Sequence, residues 1–360
     1  MPAKQLLGIQ ILRFVAAMLV VIMHTTEAIS VRITGAGPDQ YWSSGAIGVD
    51  IFFVISGFVM AMSTAKLPTD YKIYFYSAWI FMKRRLIRVA PLYWFYTFLK
   101  TALVLILPSL ALRTSIDPDH LLASLFFIPA ISPWGIVQPT LPVGWTLNFE
   151  MLFYMLVAAA ILLVKLKPTQ IAATVLAVVS TTIYTLHIPL YGSAWQLVAP
   201  LSLEFSAGVF LAYIFHHHAP KIQNNPLAVF LALILWCGAI YLGSFGRSAD
   251  IGFDRALTWG ISAFIFVFGA LLLEKSINFK SIFSRGFTLL GEASYSLYLV
   301  HGITFSITWK LSPSFVKDEP IAAAIALFFA AICISIPLHK IVELRLNDIA
   351  LKLGKKFTEA

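Results

Sequence analysis

The chain has 360 residues, 59% of them apolar and only 12% charged, with a mean hydropathy of +0.84. A soluble globular domain carries about 25% charged residues, so that class is excluded. The formal charge of +9 does not point to nucleic acid, which requires basic residues gathered on one soluble face; here they fall between hydrophobic runs. Cys237 and Cys333 both sit inside apolar runs, so no disulfide framework is expected.

Ten apolar runs are long enough to cross the hydrocarbon, at about 20 residues each. They fall at residues 8–29, 45–63, 91–110, 143–164, 170–187, 197–215, 227–243, 256–273, 287–309 and 320–339. The first predicts a retained helix and not a cleaved leader, because Arg13 interrupts it and no small-x-small site follows. Residues 71–90 are aromatic and then basic, which predicts a separate surface helix ending before Pro91. Residues 121–131 are too short to cross and are expected as a re-entrant or interfacial segment. His216, His217 and His218 are expected in a loop, without the acidic or cysteine partners that a metal site needs. Residues 1–340 thus form one transmembrane domain and 341–360 a short cytoplasmic tail.

With the N-terminus inside, eighteen Lys and Arg residues fall on inner segments and six on outer ones, Arg32, Arg113, Arg247, Arg255, Lys310 and Lys317. This bias supports both termini in the cytoplasm. The fold class is therefore all-α: a polytopic integral membrane protein of about ten transmembrane helices.

An ionisable side chain at the centre of a membrane helix costs about 2.5 to 3.5 kcal/mol on insertion scales, so each is a functional candidate. They are Arg13, His24, Asp50, Lys100, Glu150, Glu204 and His301. Counted from the predicted span ends, His24, Asp50, Glu150, Glu204 and His301 fall roughly 8 to 12 Å below the outer surface, a shared layer. Arg13 and His24 are eleven residues apart, which returns to nearly the same helix face at a separation of about 16 Å. That face offers an anion-binding guanidinium toward the cytoplasm and a proton-transferring imidazole toward the outside. On the inner approach, KRRLIR at 83–88 places Arg85 and Arg88 on adjacent positions of one turn, suited to phosphate.

Each of these groups has a plainer reading. His24, Asp50, Glu150, Glu204 and His301 could be interhelical hydrogen-bond glue, and KRRLIR an anchor on anionic lipid. Trp42, Trp134, Trp145, Trp195 and Trp309 fall at predicted outer ends, where an aromatic belt is expected. Lys100 must pair with an acid or face a cavity.

Five motifs in order carry a resemblance: LGIQILRFVAAMLVVIMHT with its Arg-x10-His spacing, GVDIFFVISGFVM, KRRLIRVAPLYW, GWTLNFEMLFY and EASYSLYLVHG. Together they resemble the membrane acyltransferase 3 family, and within it the exopolysaccharide O-acetyltransferases of Gram-negative bacteria. Thr146 stands where many members have serine, a departure that keeps a hydroxyl. The resemblance implies an enzyme of the bacterial inner membrane that moves an acyl group, usually acetyl from acetyl-CoA, to a sugar hydroxyl. The acceptor would be an exopolysaccharide, O-antigen or lipid-linked precursor. By position, His24 is implied as general base or transient acyl carrier, with Glu150 or Asp50 orienting it. Arg13, Arg85 and Arg88 would hold the acyl-CoA donor, and Glu204, His301 and Trp145 would line the substrate side. No permanently bound cofactor, metal or nucleic acid is expected, and the oligomeric state is open. The rival reading is a transporter of a lipid-linked sugar or small molecule, since buried charges also mark transport paths. The matched broken helices and similar halves of many transporters are not found in this chain.

Overall fold

The structure, a computed structural model, describes residues 6–34, 42–64, 74–110, 115–163, 167–189, 192–222, 227–246, 251–275 and 282–359. Lys4, Lys66, Lys72, Lys165, Lys280, Arg113 and Arg247, which enter the charge count, lie outside them. The helices in chain order are α1 Leu7–Ile29, α2 Ile47–Thr64, α3 Tyr74–Ile106, α4 Pro118–Leu125 and α5 Trp145–Leu163. There follow α6 Pro168–Thr185, α7 Leu203–Ile222, α8 Leu227–Gly243, α9 Phe253–Arg255 and α10 Ile261–Leu272. The last are α11 Ile282–Glu292, α12 Ser294–Leu311, α13 Ser314–Lys317, α14 Pro320–Leu338 and α15 Leu344–Glu359. Among the described residues, one isolated bridge, Ile131 with Val137, is the non-helical pairing.

A helix occupies each of the ten expected places. Among the described residues, six helical stretches are long and apolar enough to cross a membrane: Leu7–Ile33, Ser43–Thr64, Phe75–Ile106, Pro142–Leu163, Phe253–Leu272 and Pro320–Leu353. α8 is apolar but shorter, whereas α6, α7 and α12 carry more polar residues, and several of these are buried, Ser180, Glu204 and His301 among them. Large apolar side chains stand exposed along α3, α8 and α14, including Phe98, Ile106, Phe230, Ile240, Ile321 and Phe329. Water would not tolerate so many, but hydrocarbon does.

Four boundaries differ from the sequence reading. The expected surface helix does not stop before Pro91: α3 runs unbroken through it. A proline removes one backbone donor and leaves the Ile87 carbonyl without its helical partner, a loss that a membrane helix tolerates; two residues on, the Tyr295 hydroxyl donates to the Val89 carbonyl at 2.9 Å. The expected span 287–309 is two helices, α11 and α12, divided at Ala293, a turn residue with φ of −74° and ψ of −6°. The span expected from 197 starts as short 3₁₀ turns, and its α-helix begins at Leu203, after Pro200. His216 and His217 are not in a loop but continue α7, their rings 5.2 Å apart.

Backbone contacts divide the chain into two compact units. The first comprises Met1–Leu19, Ala46–Phe81 and Phe149–Glu292. Its core gathers Leu12 and Ala16 of α1, Val54 and Phe58 of α2, Leu211 of α7, and Ala263 and Val267 of α10. α2 and α7 approach so closely that a Cβ on Gly57 would lie 2.0 Å from the Phe205 carbonyl oxygen, and one on Gly208 2.0 Å from that of Val54. Small residues at such crossings let membrane helices pack backbone to backbone. α8 is tied to the following helix by Trp259 Nε1 donating to Gly243 O at 2.7 Å and Ser262 Oγ to Ala239 O at 2.9 Å. The start of α1 is capped from afar: the Glu274 carboxylate accepts from Leu7 N at 2.9 Å and Gly8 N at 2.8 Å, satisfying orphan donors at a helix N-terminus.

The second unit comprises Val20–Gly45, Met82–Asn148 and Ala293–Ala360. α12 packs along α14. The expected re-entrant segment is the short helix α4 followed by a turn through Phe127, with φ of 59°. It is fastened to α3 by Tyr93 OH donating to Ser124 O at 3.1 Å and Trp94 Nε1 to Leu125 O at 2.8 Å. Lys100 Nζ donates to Thr140 O at 2.7 Å. That bond accounts for Lys100: its long stem carries the ammonium to a backbone carbonyl at the end of the same segment.

Candidate active site

In the second unit the last turns of α1 carry His24. Its Nδ1 lies 2.7 Å from Glu27 Oε2, three residues on, with the two side chains 30% and 38% exposed. A carboxylate can only accept, so Nδ1 carries the ring proton and Nε2 is left as the basic nitrogen of the neutral imidazole. The His301 ring of α12 stacks on it, centroids 5.1 Å apart and planes 25° off parallel. His301 is 1% exposed, and its Nδ1 donates to the Leu297 carbonyl at 3.2 Å, which fixes the same tautomer. The rings of Phe305 and Tyr298 flank it at 5.6 and 6.3 Å. Tyr298 OH donates to Val143 O at 2.9 Å and stands 3.0 Å from the Thr146 hydroxyl, so the residue standing in for a family serine is hydrogen-bonded to the helix that bears His301. Trp145, half-buried, precedes it at the start of α5.

Arg85 and Arg88 sit on α3, Arg85 half-buried and Arg88 exposed. The same unit holds a buried cluster that the sequence reading missed. Glu343 Oε2 accepts from His339 Nδ1 at 2.8 Å and from Ser296 Oγ at 2.7 Å, within a π-helical turn, His339–Glu343.

In the first unit Asp50 occupies the first turn of α2 and is 0% exposed. Arg255, 2% exposed, donates to both of its oxygens, Nε to Oδ1 at 3.0 Å and Nη2 to Oδ2 at 2.8 Å. The guanidinium also lies 4.9 Å over the Trp259 ring. Glu204, expected seven residues into its span, lies in the first turn of α7 and is 2% exposed. Its carboxyl stands beside Asp50 and Arg255, though neither oxygen meets strict hydrogen-bond geometry among the described residues. Glu150 accepts from Ser56 Oγ at 2.9 Å and from the Tyr154 hydroxyl. Arg13 is half-buried on α1, with Nη1 donating to Gln10 Oε1 at 3.3 Å.

The structure therefore brings His24 and His301 together and supplies Glu27 as the carboxylate on His24. Asp50 is engaged by Arg255 and Glu150 by two hydroxyls. Glu27 stands i+3 from a candidate histidine and two residues from the expected span end, and the sequence reading passes over it. Arg255 was assigned to an outer loop, because hydropathy windows trim charged residues from helix ends; three residues of helix and a π-turn carry it inside. Among the described residues no three histidine, cysteine or acidic side chains are grouped to hold a metal ion.

The polytopic helical scaffold thus presents a carboxylate-oriented histidine in a partly open position, an arrangement able to serve as a general base. Residues 6–340 match the family described as an acyltransferase domain, acyltransferase 3, and the chain belongs to that family. It is 36% identical over 280 residues to the exopolysaccharide production protein ExoZ of Rhizobium meliloti (strain 1021), covering 75% of this chain and 80% of that one. It is 25% identical to the acyltransferase MdmB of Streptomyces mycarofaciens, covering 96% of this chain and 92% of that one. No solved structure matches the chain.

Proposed function

We propose that this acyltransferase moves an acetyl group from cytoplasmic acetyl-CoA to a hydroxyl of a sugar in an exopolysaccharide, O-antigen or lipid-linked precursor, in the bacterial inner membrane. The observation that carries the reading is the Glu27–His24 pair, which leaves Nε2 as the base. In the reaction Nε2 takes the proton of the acceptor hydroxyl, the oxygen attacks the thioester carbonyl carbon, and the carbon–sulfur bond breaks. The imidazolium returns the proton to the CoA thiolate, so atoms and charge balance. Glu27 holds the ring in its tautomer and stabilises the imidazolium while it lasts. Arg85 and Arg88, three residues apart on α3, hold the donor's phosphates, for which guanidinium forks are suited. His301 presses the His24 ring into place. Trp145 lines the acceptor side, and Asp50 keeps its helix positioned through Arg255. The exopolysaccharide link in the name of the relative ExoZ supports a saccharide acceptor.

The test is transfer of labelled acetyl from acetyl-CoA to a polysaccharide or lipid-linked sugar fraction, in membranes holding the wild-type or variant chain. His24→Ala should abolish transfer with the protein still in the membrane. Glu27→Gln should lower kcat by about 10²-fold or more, the scale of general-base catalysis, with little change in KM, and Glu27→Asp should restore part of it. A His24→Ala chain with normal transfer would overturn the reading.

A further inference from the structure

α1 and α12 meet twice. The first meeting is His24 on His301. The second lies eight residues later on each helix: the Arg32 guanidinium sits 5.2 Å over the Trp309 ring. An equal offset on both helices means that they run parallel here, and Arg32 stands about 12 Å beyond His24 along the axis at helical rise. Arg32 lies in the π-helical turn Ser30–Thr34 that extends α1, and its Nε is buried without a hydrogen-bond partner among the described residues. One ring face thus holds the cation in place and Nε is enclosed, which leaves the Nη end of the fork for a ligand. Lys310, next to Trp309 on α12, is exposed, and its ammonium donates to Ser109 Oγ at 2.9 Å.

From this geometry we infer that Arg32 and Trp309 form the binding platform for an oxyanion on the acceptor, a carboxylate or phosphate carried by the saccharide itself. The inference rests on the acyl-transfer reading and names its substrate class. A planar fork stacked on an aromatic is preorganised for bidentate oxyanion recognition, and the indole offers an apolar surface to a pyranose ring. The distance sets the register: a separation of about 12 Å is near the length of a disaccharide. The anion is therefore carried one or two sugar units from the hydroxyl that is acylated. A guanidinium at this level could instead snorkel to a lipid phosphate, which is the same chemistry from another source.

The test uses the purified full-length chain in neutral detergent and two probes, tetragalacturonate and the uncharged cellotetraose, with binding measured by titration calorimetry. The wild type should bind the anionic tetrasaccharide at least about tenfold more tightly, a step of about 1.4 kcal/mol in affinity. Arg32→Gln should erase the preference, Arg32→Lys should keep part of it, and Trp309→Leu should weaken both probes. Equal affinity of the wild type for the two probes, or a preference unchanged in Arg32→Gln, overturns the proposal. Phosphatidylglycerol added to the micelles separates the sources: if the lipid binds through Arg32 while saccharide preference does not depend on it, Arg32 is a headgroup anchor and the proposal falls. Acetyl transfer is scored separately. A preference that depends on Arg32 without transfer from acetyl-CoA would fault the donor reading and leave the platform standing; transfer indifferent to acceptor charge and to Arg32→Gln would do the reverse.

Discussion

Replacing Arg255 by methionine would leave Asp50, 0% exposed, without either of the guanidinium bonds that reach it at 3.0 and 2.8 Å. Breaking a buried pair by removing one partner costs about 3 to 5 kcal/mol, because the remaining charge has no solvent and no counter-charge. The loss of the contact with Trp259 at 4.9 Å adds about 0.5 to 2 kcal/mol. Asp50→Leu should cost less than this, because the Glu204 carboxyl remains beside the guanidinium as its acidic neighbour. The double variant Asp50→Leu/Arg255→Met should recover most of the loss, since a buried pair exchanged for apolar side chains is often neutral. The measurement is equilibrium unfolding of the four proteins in mixed micelles, with cleavage of the unfolded chain by protease as the readout. Single-variant costs below about 1 kcal/mol, the ordinary size of interhelical hydrogen bonds between membrane helices, would refute the reasoning. So would strict additivity in the double variant.

Two further variants test the packing. Glu274→Ala removes two charge-assisted bonds to Leu7 N and Gly8 N, each worth about 1.5 kcal/mol or more; the first turn of α1 should lose its protection from amide hydrogen exchange, and unchanged protection there would discount the cap. Gly208→Ala would put a Cβ 2.0 Å from the Val54 carbonyl oxygen and should cost about 1 to 3 kcal/mol through overpacking. The control is Gly238→Ala on α8, where nothing lies within 4 Å; it should gain up to about 1 kcal/mol, and equal thermal shifts for the two would refute the crossing.

The ten apolar runs were legible because the bilayer imposes one length on every span. The family was legible because Arg13, His24, Asp50, Arg85, Arg88, Glu150 and His301 keep their spacing along the chain. The local breaks were not. Pro91 reads as a helix end from local sterics, yet α3 runs through it, because a membrane helix tolerates the one missing donor. Ala293 looks like a good helix former and divides α11 from α12 all the same. Partner identity was the largest gap. Nothing local to Asp50 names Arg255, 205 residues away, and nothing local to Lys100 names the Thr140 carbonyl.

On the function proposed above, ionisable groups in the apolar runs serve two purposes, and closure of their hydrogen-bonding valences separates them. Asp50 and Arg255 are sealed from solvent and satisfy each other through two parallel bonds. A group so enclosed can position a helix but cannot exchange a proton with a substrate without first breaking that pair. His24 is the opposite case. It is nearly a third exposed, one ring nitrogen is committed to Glu27, and the other is basic in the tautomer this imposes. The buried His301 beneath it restrains the ring without competing for that nitrogen, since its own donor is spent on Leu297. Both kinds of site look alike in a sequence, as one ionisable residue in an apolar run. Function separates from architecture at the second nitrogen, where a base must stay open and a strut must not.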